Sequence, residues 1–127
     1  MMKQKDIVIA YKAITNFNQN EKNKKNASVR TTHDLFIIKK LLEPHWQYQS
    51  ELERDIFQET EAKMLENGDI EFKSQEQKDK FFEKLNEVSN LDIDLGDFTK
   101  VKIKLDEDIN IPMDDMEALD PFVEFVE

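Results

Sequence analysis

Apolar residues recur every three or four positions along two stretches in the first half of the chain. Residues 4–17 have this spacing and predict a first helix, although Ile7-Val8-Ile9 alone would also suit a short strand. The longer stretch, residues 31–66, repeats the spacing from Leu35 to Ile56 and predicts one long helix. A helix of this length in a 127-residue chain indicates a protein that offers surfaces rather than an enclosed pocket.

The ends and the middle of this long helix have separate signals. Thr31 begins a loose capping box at its start. The turn Asn67-Gly68-Asp69 would end it, because glycine tolerates the left-handed conformation that follows a helix. Pro44 lacks an N–H group and clashes with the preceding turn, so either the helix kinks there or two helices meet, over 35–43 and 45–66. The apolar stripe continues past Pro44 with little change of phase, which favours a kink.

Shorter elements follow the turn. Residues 70–73 alternate between apolar and charged side chains, as in a short strand. Ser74, with Gln77 three residues later, forms a capping box for a helix over 75–89. Residues 18–28, before the long helix, are polar and rich in asparagine, and we expect a loop there.

Residues 91–95 and 101–105 both alternate strictly and predict a β-hairpin. One face of this hairpin would carry three apolar pairs: Leu95 with Val101, Ile93 with Ile103, and Leu91 with Leu105. The other face would carry two pairs of opposite charge: Asp94 with Lys102, and Asp92 with Lys104. A slip of one residue would expose every apolar side chain, so the pattern specifies the register.

The predicted elements indicate an α+β fold. Residues 4–17 and the bent long helix would form a helical hairpin that packs, with helix 75–89, on a small antiparallel three-stranded sheet. We expect a single domain over 1–127. It would comprise a basic helix and loop (1–30), a core of helices and sheet (31–105) and an acidic C-terminal tail (106–127).

Composition narrows the classes of function. The chain has no cysteine, which excludes disulfides, thiolate nucleophiles and cysteine-based zinc sites. It has no apolar run of about 18 residues that would span a membrane, and its polar start does not resemble a signal peptide. We therefore expect a cytoplasmic protein without a membrane partner.

Charge is distributed unevenly within a net charge of −10. Residues 1–30 are basic, whereas residues 106–127 contain nine acids and no base. This surface would repel phosphates, so we expect no direct binding of duplex nucleic acid. A partner protein with a basic surface fits better, although a solvated acidic surface without a partner is the simpler interpretation. The candidate partner-binding residues are Asp106, Glu107, Asp108, Asp114, Asp115 and Glu117.

Candidate chemistry is sparse. His33 and His45 lie twelve residues apart without a metal-site spacing. The aspartates around Gly96 resemble the start of a calcium loop but lack its later glycine and glutamate, and strand alternation explains them better. Two glycines are too few for a phosphate loop or a dinucleotide fingerprint. We expect no catalytic residue, no metal and no cofactor.

The order of parts resembles a family of small proteins of unknown function that are encoded by tailed phages and prophages of Gram-positive bacteria. The similar segments are Tyr11 and Ile14, Ile38-Lys39-Lys40-Leu41-Leu42, the acidic helix after Trp46, Asn67-Gly68-Asp69-Ile70-Glu71-Phe72, and Asp115-Met116-Glu117-Ala118-Leu119-Asp120-Pro121-Phe122. The resemblance implies a phage origin and no established activity. It also implies a place in the cytoplasm of the bacterial host, or in association with the virion under the second hypothesis below.

Two hypotheses of function follow, with a small enzyme as a less favoured third. The chain is expected to be a non-enzymatic phage-type protein that binds another protein. It would inhibit a host factor, such as a defence nuclease, by presenting carboxylates where the target expects phosphates. Alternatively, it would serve as a structural or assembly accessory of the virion that docks through its long helix.

Overall fold

The computed structural model describes residues 2–104 and 109–126, which contain both helices and short strands, as predicted for the α+β class. The helices are α1 (Gln4–Gln19), α2 (Glu21–Asn26), α3 (Val29–Glu59), α4 (Gln75–Ser89) and α5 (Met113–Leu119). The strands are β1 (Met2–Lys3), β2 (Lys63–Met64), β3 (Ile70–Glu71), β4 (Asp92–Ile93), β5 (Val101–Lys104) and β6 (Val123–Val126).

The long helix α3 begins earlier than the sequence predicted. The hydroxyl of Ser28 accepts a hydrogen bond from the Thr31 N–H group at 3.1 Å, so Ser28 is the cap and Thr31 lies inside the first turn. The 31 residues of α3 run without interruption through Pro44. At 1.5 Å per residue the helix is about 46 Å long, and α1, α4 and β5 pack against it.

Residues 18–28 are not the loop that the sequence predicted, because α2 occupies most of this segment. The side chain of Asn20 accepts a hydrogen bond from the Asn23 N–H group at 3.1 Å and caps the helix. The polar residues of this segment are helix caps and the solvent-exposed face of α2, and not the residues of a loop. Only Asn23 of α2 is buried.

The long helix also ends seven residues earlier than predicted, at Glu59 rather than residue 66. The Glu61 N–H group donates to the Gln58 carbonyl at 3.2 Å, and the Ala62 N–H group donates to the Phe57 carbonyl at 3.0 Å. These two bonds form a Schellman motif, in which Glu61 takes the left-handed conformation with φ 54°. The helix thus ends without a glycine, which removed the usual signal from the sequence.

The turn at residues 67–69 belongs to a hairpin rather than to a helix end. Strands β2 and β3 pair antiparallel, Lys63 with Glu71 and Met64 with Ile70. Gly68 adopts φ 90° in the turn, a conformation that glycine accepts readily. Helix α4 follows over the predicted residues, and the Ser74 hydroxyl accepts a hydrogen bond from the Gln77 N–H group at 3.2 Å.

This hairpin, α4 and the end of α3 enclose a small core. Its buried members are Ile56, Phe81 and Val88. The ring of Phe81 lies edge-on to Phe57 and Phe72, with centroids 5.1 Å apart in both pairs. Phenylalanine is suited to this position because it buries a large apolar surface without a polar group that needs a partner.

The predicted hairpin of residues 91–105 is wrong, and so is the single three-stranded sheet. Within the described ranges the strands form three separate pairs. Strand β4 pairs antiparallel with β1, and Lys3 forms a 2.8 Å ion pair with Asp92. Strand β5 pairs in parallel with β6, so Ile103 stands beside Phe125 rather than Ile93. Helix α5 lies in the connection between β5 and β6, as a parallel pair requires a crossover.

The larger core lies between α1, the first half of α3, α5 and the β5–β6 pair. It includes Ile14 of α1 and Leu42 of α3, both fully buried, with Trp46 half-buried at its margin. Residues Leu119, Phe122 and Val123 from the predicted tail also belong to it. The described part of this tail therefore docks on the protein's own core.

Candidate functional site

The acidic residues predicted to bind a partner are only partly described. Asp106, Glu107 and Asp108 lie outside the described residues. Asp114 and Glu117 are exposed on α5, and Asp115 is half-buried. Asp114 and Asp115 are in the first turn of this helix, where negative charge is favourable beside the helix N-terminus. The structure thus brings three of the six candidates together on one short helix.

The apolar residues next to these acids do not offer a docking surface. Leu119 and Phe122 are fully buried in the protein's own core. Met113 is the exception, with 68% of its surface exposed. Apolar residues mixed with acids had suggested a partner, and their own packing now explains most of them. What remains at α5 is exposed negative charge.

A more complete surface lies where residues 97–102 approach the first half of α3. A groove of about 950 Å³ opens between the two segments. Ile37 and Leu41 of α3 line one wall of this groove, and Phe98 lines the opposite wall. Ile37 is 52% exposed and Phe98 is 38% exposed, so large apolar side chains meet water here.

The helix explains why Ile37 and Leu41 line this groove. They are four residues apart and therefore lie on the same flank of α3. Ile38 and Leu42, one position later in each case, point into the core and are buried. The apolar stripe of α3 is thus wider than its core contact, and its outer margin forms one wall of the groove.

A turn places Phe98 on the opposite wall. Gly96 has φ 74°, and its N–H group donates to the Asp94 carboxylate at 2.8 Å. This turn directs the chain from β4 towards β5 instead of back along β4. The ring of Phe98 then rests against Phe122 of the core, with centroids 5.2 Å apart. One side of the Phe98 ring therefore packs on the core, and its other side faces the groove.

The rim of the groove is basic in a protein that is acidic as a whole. Arg30, Lys40, Lys100 and Lys102 line it, against two carboxylates. Arg30 and Lys40 bind carboxylates on α3, at 3.2 Å in each case. No carboxylate of the described residues lies within ion-pair distance of Lys100 or Lys102. The rim, with four basic side chains against two carboxylates, therefore favours an acidic group.

A second apolar surface lies at the far end of the molecule. Met64 and Leu65 of the β2–β3 hairpin and Phe82 of α4 are all exposed, at 62%, 37% and 52% respectively. Leu65 and Phe82 line a shallow depression that also contains both acidic and basic groups. Its charges do not select one kind of partner, in contrast to the rim of the groove.

A smaller pocket of about 320 Å³ lies between α1 and α3. Tyr11 and Trp46 stack there with centroids 4.8 Å apart, and the ammonium group of Lys39 lies 5.5 Å from the Tyr11 ring centre. Burial raises the pKa of Tyr11, and the neighbouring Glu43 carboxylate raises it further. The pocket is therefore explained by side chains that pack against each other at the edge of the core.

Neither histidine lines any of these surfaces. His33 is exposed, with its Nδ1 atom 3.4 Å from an Asp34 oxygen. The backbone carbonyl of His45 accepts a 2.7 Å hydrogen bond from the buried side chain of Gln4. In residues 2–104 and 109–126 no three histidine, cysteine or acidic side chains cluster so that they would hold a metal ion.

The sequence analysis missed the groove, although one signal was present. Phe36, Ile37 and Ile38 are consecutive, and three consecutive helical positions span about 200°. A helix that packs one face on a core cannot bury all three. Phe36 and Ile37 are accordingly exposed. Three large apolar residues in a row on an otherwise amphipathic helix thus predict an apolar surface outside the core.

Comparison of the chain with models of protein families, with curated proteins and with solved structures gave no match. None of the helices in the described ranges combines the length and the apolar character that crossing a bilayer requires.

Proposed function

We propose that this chain is a non-enzymatic protein that binds another protein through the groove between α3 and residues 97–102. The observation that carries the proposal is the exposure of Ile37 and Phe98 on facing walls. Beside them lie Lys100 and Lys102, which form no ion pair with any residue that the structure describes. Exposed apolar area bordered by charge is typical of protein-binding surfaces. The groove suits a partner segment that has both apolar and acidic side chains.

The biological setting that we propose is a tailed phage or prophage of a Gram-positive bacterium. The resemblance of segments such as Ile38-Lys39-Lys40-Leu41-Leu42 supports it, and Leu41 of that segment lines the groove. In this setting the partner is either a host factor that the protein inhibits or a component of the virion that it helps to assemble. The protein would act in the host cytoplasm in the first case and with the virion in the second.

The acidic face of α5 is a second candidate surface, favoured by the exposure of Asp114 and Glu117. A basic partner, such as a nuclease whose site expects phosphates, would be attracted to it. Such binding would weaken with salt, because exposed charges farther apart than about 8 Å are largely screened at physiological ionic strength.

The two surfaces are distinguished by affinity capture from infected host cells with three forms of the protein. These are the unaltered chain, Ile37→Asp for the groove, and a form of α5 with Asp114→Asn, Asp115→Asn and Glu117→Gln. Captured proteins are identified by mass spectrometry, purified and titrated against each form. We expect Ile37→Asp to abolish binding and the α5 form to retain it. The reverse result would transfer the function to the acidic face.

A further inference from the structure

One edge of strand β5 carries no neighbouring strand among the residues that the structure describes. Within the described residues β5 pairs only with β6, and the pair contains no third strand. A strand edge presents unpaired backbone N–H and C=O groups, which another extended chain can bind. The question is which residues present these groups and where they lie relative to the groove.

The hydrogen bonds between β5 and β6 show which residue presents its backbone groups on the free edge. The Val101 N–H group donates to the Phe122 carbonyl at 2.9 Å, and Val101 stands beside Val123 in the parallel register. In a strand, the N–H and C=O groups of one residue point to the same edge, and those of the next residue point to the other. Lys102 therefore directs its backbone N–H and C=O groups away from β6.

The groove lies along this part of the chain. Lys100, Val101 and Lys102 form one of its sides, and Ile37 and Leu41 of α3 form the other. An added strand would lie about 4.8 Å from β5 at its free edge. It would lie beside α3 rather than between α3 and β5, because these two elements are already in contact. The groove thus joins a free strand edge to an apolar helix surface.

The side chains of β5 specify the chemistry of an added strand. Val101 and Ile103 are buried, whereas Lys102 and Lys104 are exposed. Strand β6 already shows the complementary pattern on the other edge, with Val123 buried and Glu124 exposed in register with Lys102. A second strand with the same alternation would place apolar side chains towards Ile37 and acids beside the lysines.

We propose that the groove binds an extended segment of a partner protein, which adds to β5 as a third strand and alternates apolar and acidic residues. This inference rests on the proposed function and adds the mode of binding and the chemistry of the segment. The backbone of Lys102 supplies the central hydrogen bonds. Ile37 and Phe98 supply the apolar contact, and Lys100 and Lys102 attract the acids.

The probe is a short acetylated peptide that alternates valine and glutamate. A peptide of the same composition, with all valines before all glutamates, is its control. We expect the alternating peptide to bind at least about tenfold more tightly, because only it places apolar and acidic side chains on opposite faces. In amide hydrogen exchange of the unaltered protein, the Lys102 amide should become protected only when the alternating peptide is present. Unchanged exchange at millimolar peptide would overturn the strand-addition mode.

Lys102→Pro tests the backbone itself. Proline removes the N–H group on the free edge and leaves the Val101 bond to β6 in place, as edge strands tolerate. Lys102→Ala removes the same charge but keeps the N–H group. We expect Lys102→Pro to bind the alternating peptide about tenfold more weakly than Lys102→Ala. Near-ultraviolet circular dichroism of Trp46 reports whether both variants keep the native core.

Ile37→Asp separates this inference from the proposed function. Loss of peptide binding in Ile37→Asp, with full binding in Lys102→Pro, would overturn strand addition while the groove remains the binding surface. Full binding in both variants would overturn both proposals. Self-association of the unaltered protein that Lys102→Pro abolishes would assign the edge to a second copy of the chain, and would overturn the proposed partner.

Discussion

The side-chain amide of Asn23 forms two hydrogen bonds with the backbone of Asn110. Its Nδ2 atom donates to the Asn110 carbonyl at 2.8 Å, and its Oδ1 atom accepts from the Asn110 N–H group at 2.7 Å. The same Nδ2 atom lies 3.3 Å from the Phe17 carbonyl, and Asn23 is only 1% exposed. One buried amide thus joins α1, α2 and the segment that leads into α5.

Asn23→Leu should destabilise the protein by about 2–3 kcal/mol. Leucine has a similar size but cannot pair with the Asn110 N–H and C=O groups at this partly buried site. A buried polar group that loses its partner costs about 1–3 kcal/mol. Urea unfolding followed by Trp46 fluorescence measures the change. Lys22→Ala, on the exposed side of α2, is the control and should change stability by less than about 0.5 kcal/mol.

The sequence predicted which side chains of β5 are buried but not which strand it pairs with. Alternation specifies a face, and Val101 and Ile103 are buried as expected. The partner depends on packing between residues far apart in the chain. Residues 123–125 also alternate, and the chain that passes through α5 brings them beside β5. Asp92, expected opposite Lys104, instead binds Lys3 from the start of the chain.

Ile103→Asp should destabilise the protein by about 3 kcal/mol or more, because it places a charge without a partner in the larger core. Ile103 has no exposed surface. Lys104→Asp changes the next residue of the same strand, on its exposed face, and is the matched control. Thermal unfolding should show a large decrease in Tm for the first variant and a small one for the second. Similar values for both would contradict the alternation of β5.

The boundaries of α3 were the least predictable part of the fold. Trp46 and the apolar stripe on both sides of it revealed that the helix passes Pro44, which the structure confirms. Its end was hidden because Glu61 occupies the left-handed position where glycine is common. A left-handed position after a helix is recognised in a sequence by its glycine. A glutamate at that position therefore does not indicate the helix end.

Glu61→Gly should therefore stabilise the protein, by about 1 kcal/mol, since a left-handed conformation costs an ordinary residue about 1–2 kcal/mol. Loss of the exposed 3.2 Å ion pair with Lys73 offsets this only slightly. Gln58→Gly, three residues earlier in the helix, is the matched control and should destabilise by about 1 kcal/mol. Equilibrium unfolding in urea measures both. A destabilising effect at residue 61 would show that the Schellman motif does not determine the end of α3.

The pair of Glu59 and Lys84 predicts a dependence of stability on pH. The Lys84 ammonium group donates a hydrogen bond to the Glu59 carboxylate and, with its charge, lowers the pKa of that group below its usual 4.5. A lowered pKa in the folded state gives stability that is present above the unfolded pKa and is lost as the pH falls through the folded value. Because the carboxylate is exposed, the effect should be small.

A double-mutant cycle with Glu59→Gln and Lys84→Met measures this interaction. Above pH 4.5 the two single variants and the double variant should lose similar stability, because each removes the same pair. As the pH falls further, all three should approach the unaltered protein. Losses that are additive, or that do not change with pH, would contradict a coupling between these two residues.

The sequence did not predict the groove, because the groove depends on how distant segments of the chain pack together. Its walls come from α3 and from residues that follow the turn at Gly96, and the predicted hairpin had placed those residues elsewhere. Only the exposed apolar side chains of α3 left a trace in the sequence. The candidate acids of α5, in contrast, were visible as composition. Composition identifies charge but does not show whether an apolar contact surface accompanies it.

The two surfaces should respond differently to salt and to mutation. The α5 form removes three negative charges and keeps the size of each side chain. Its substitutions are Asp114→Asn, Asp115→Asn and Glu117→Gln. We expect stability to fall by no more than about 1–2 kcal/mol, since two of these charges lie at the favourable N-terminus of α5. The affinity of a groove-bound partner and its salt dependence should stay the same.

Lys100→Met, at the rim of the groove, should instead slow association and reduce the salt dependence, because rim charges act mainly on the rate of encounter. If the α5 form slowed association and Lys100→Met did not, the partner would be basic, and inhibition through the acidic face would become the better account of this protein.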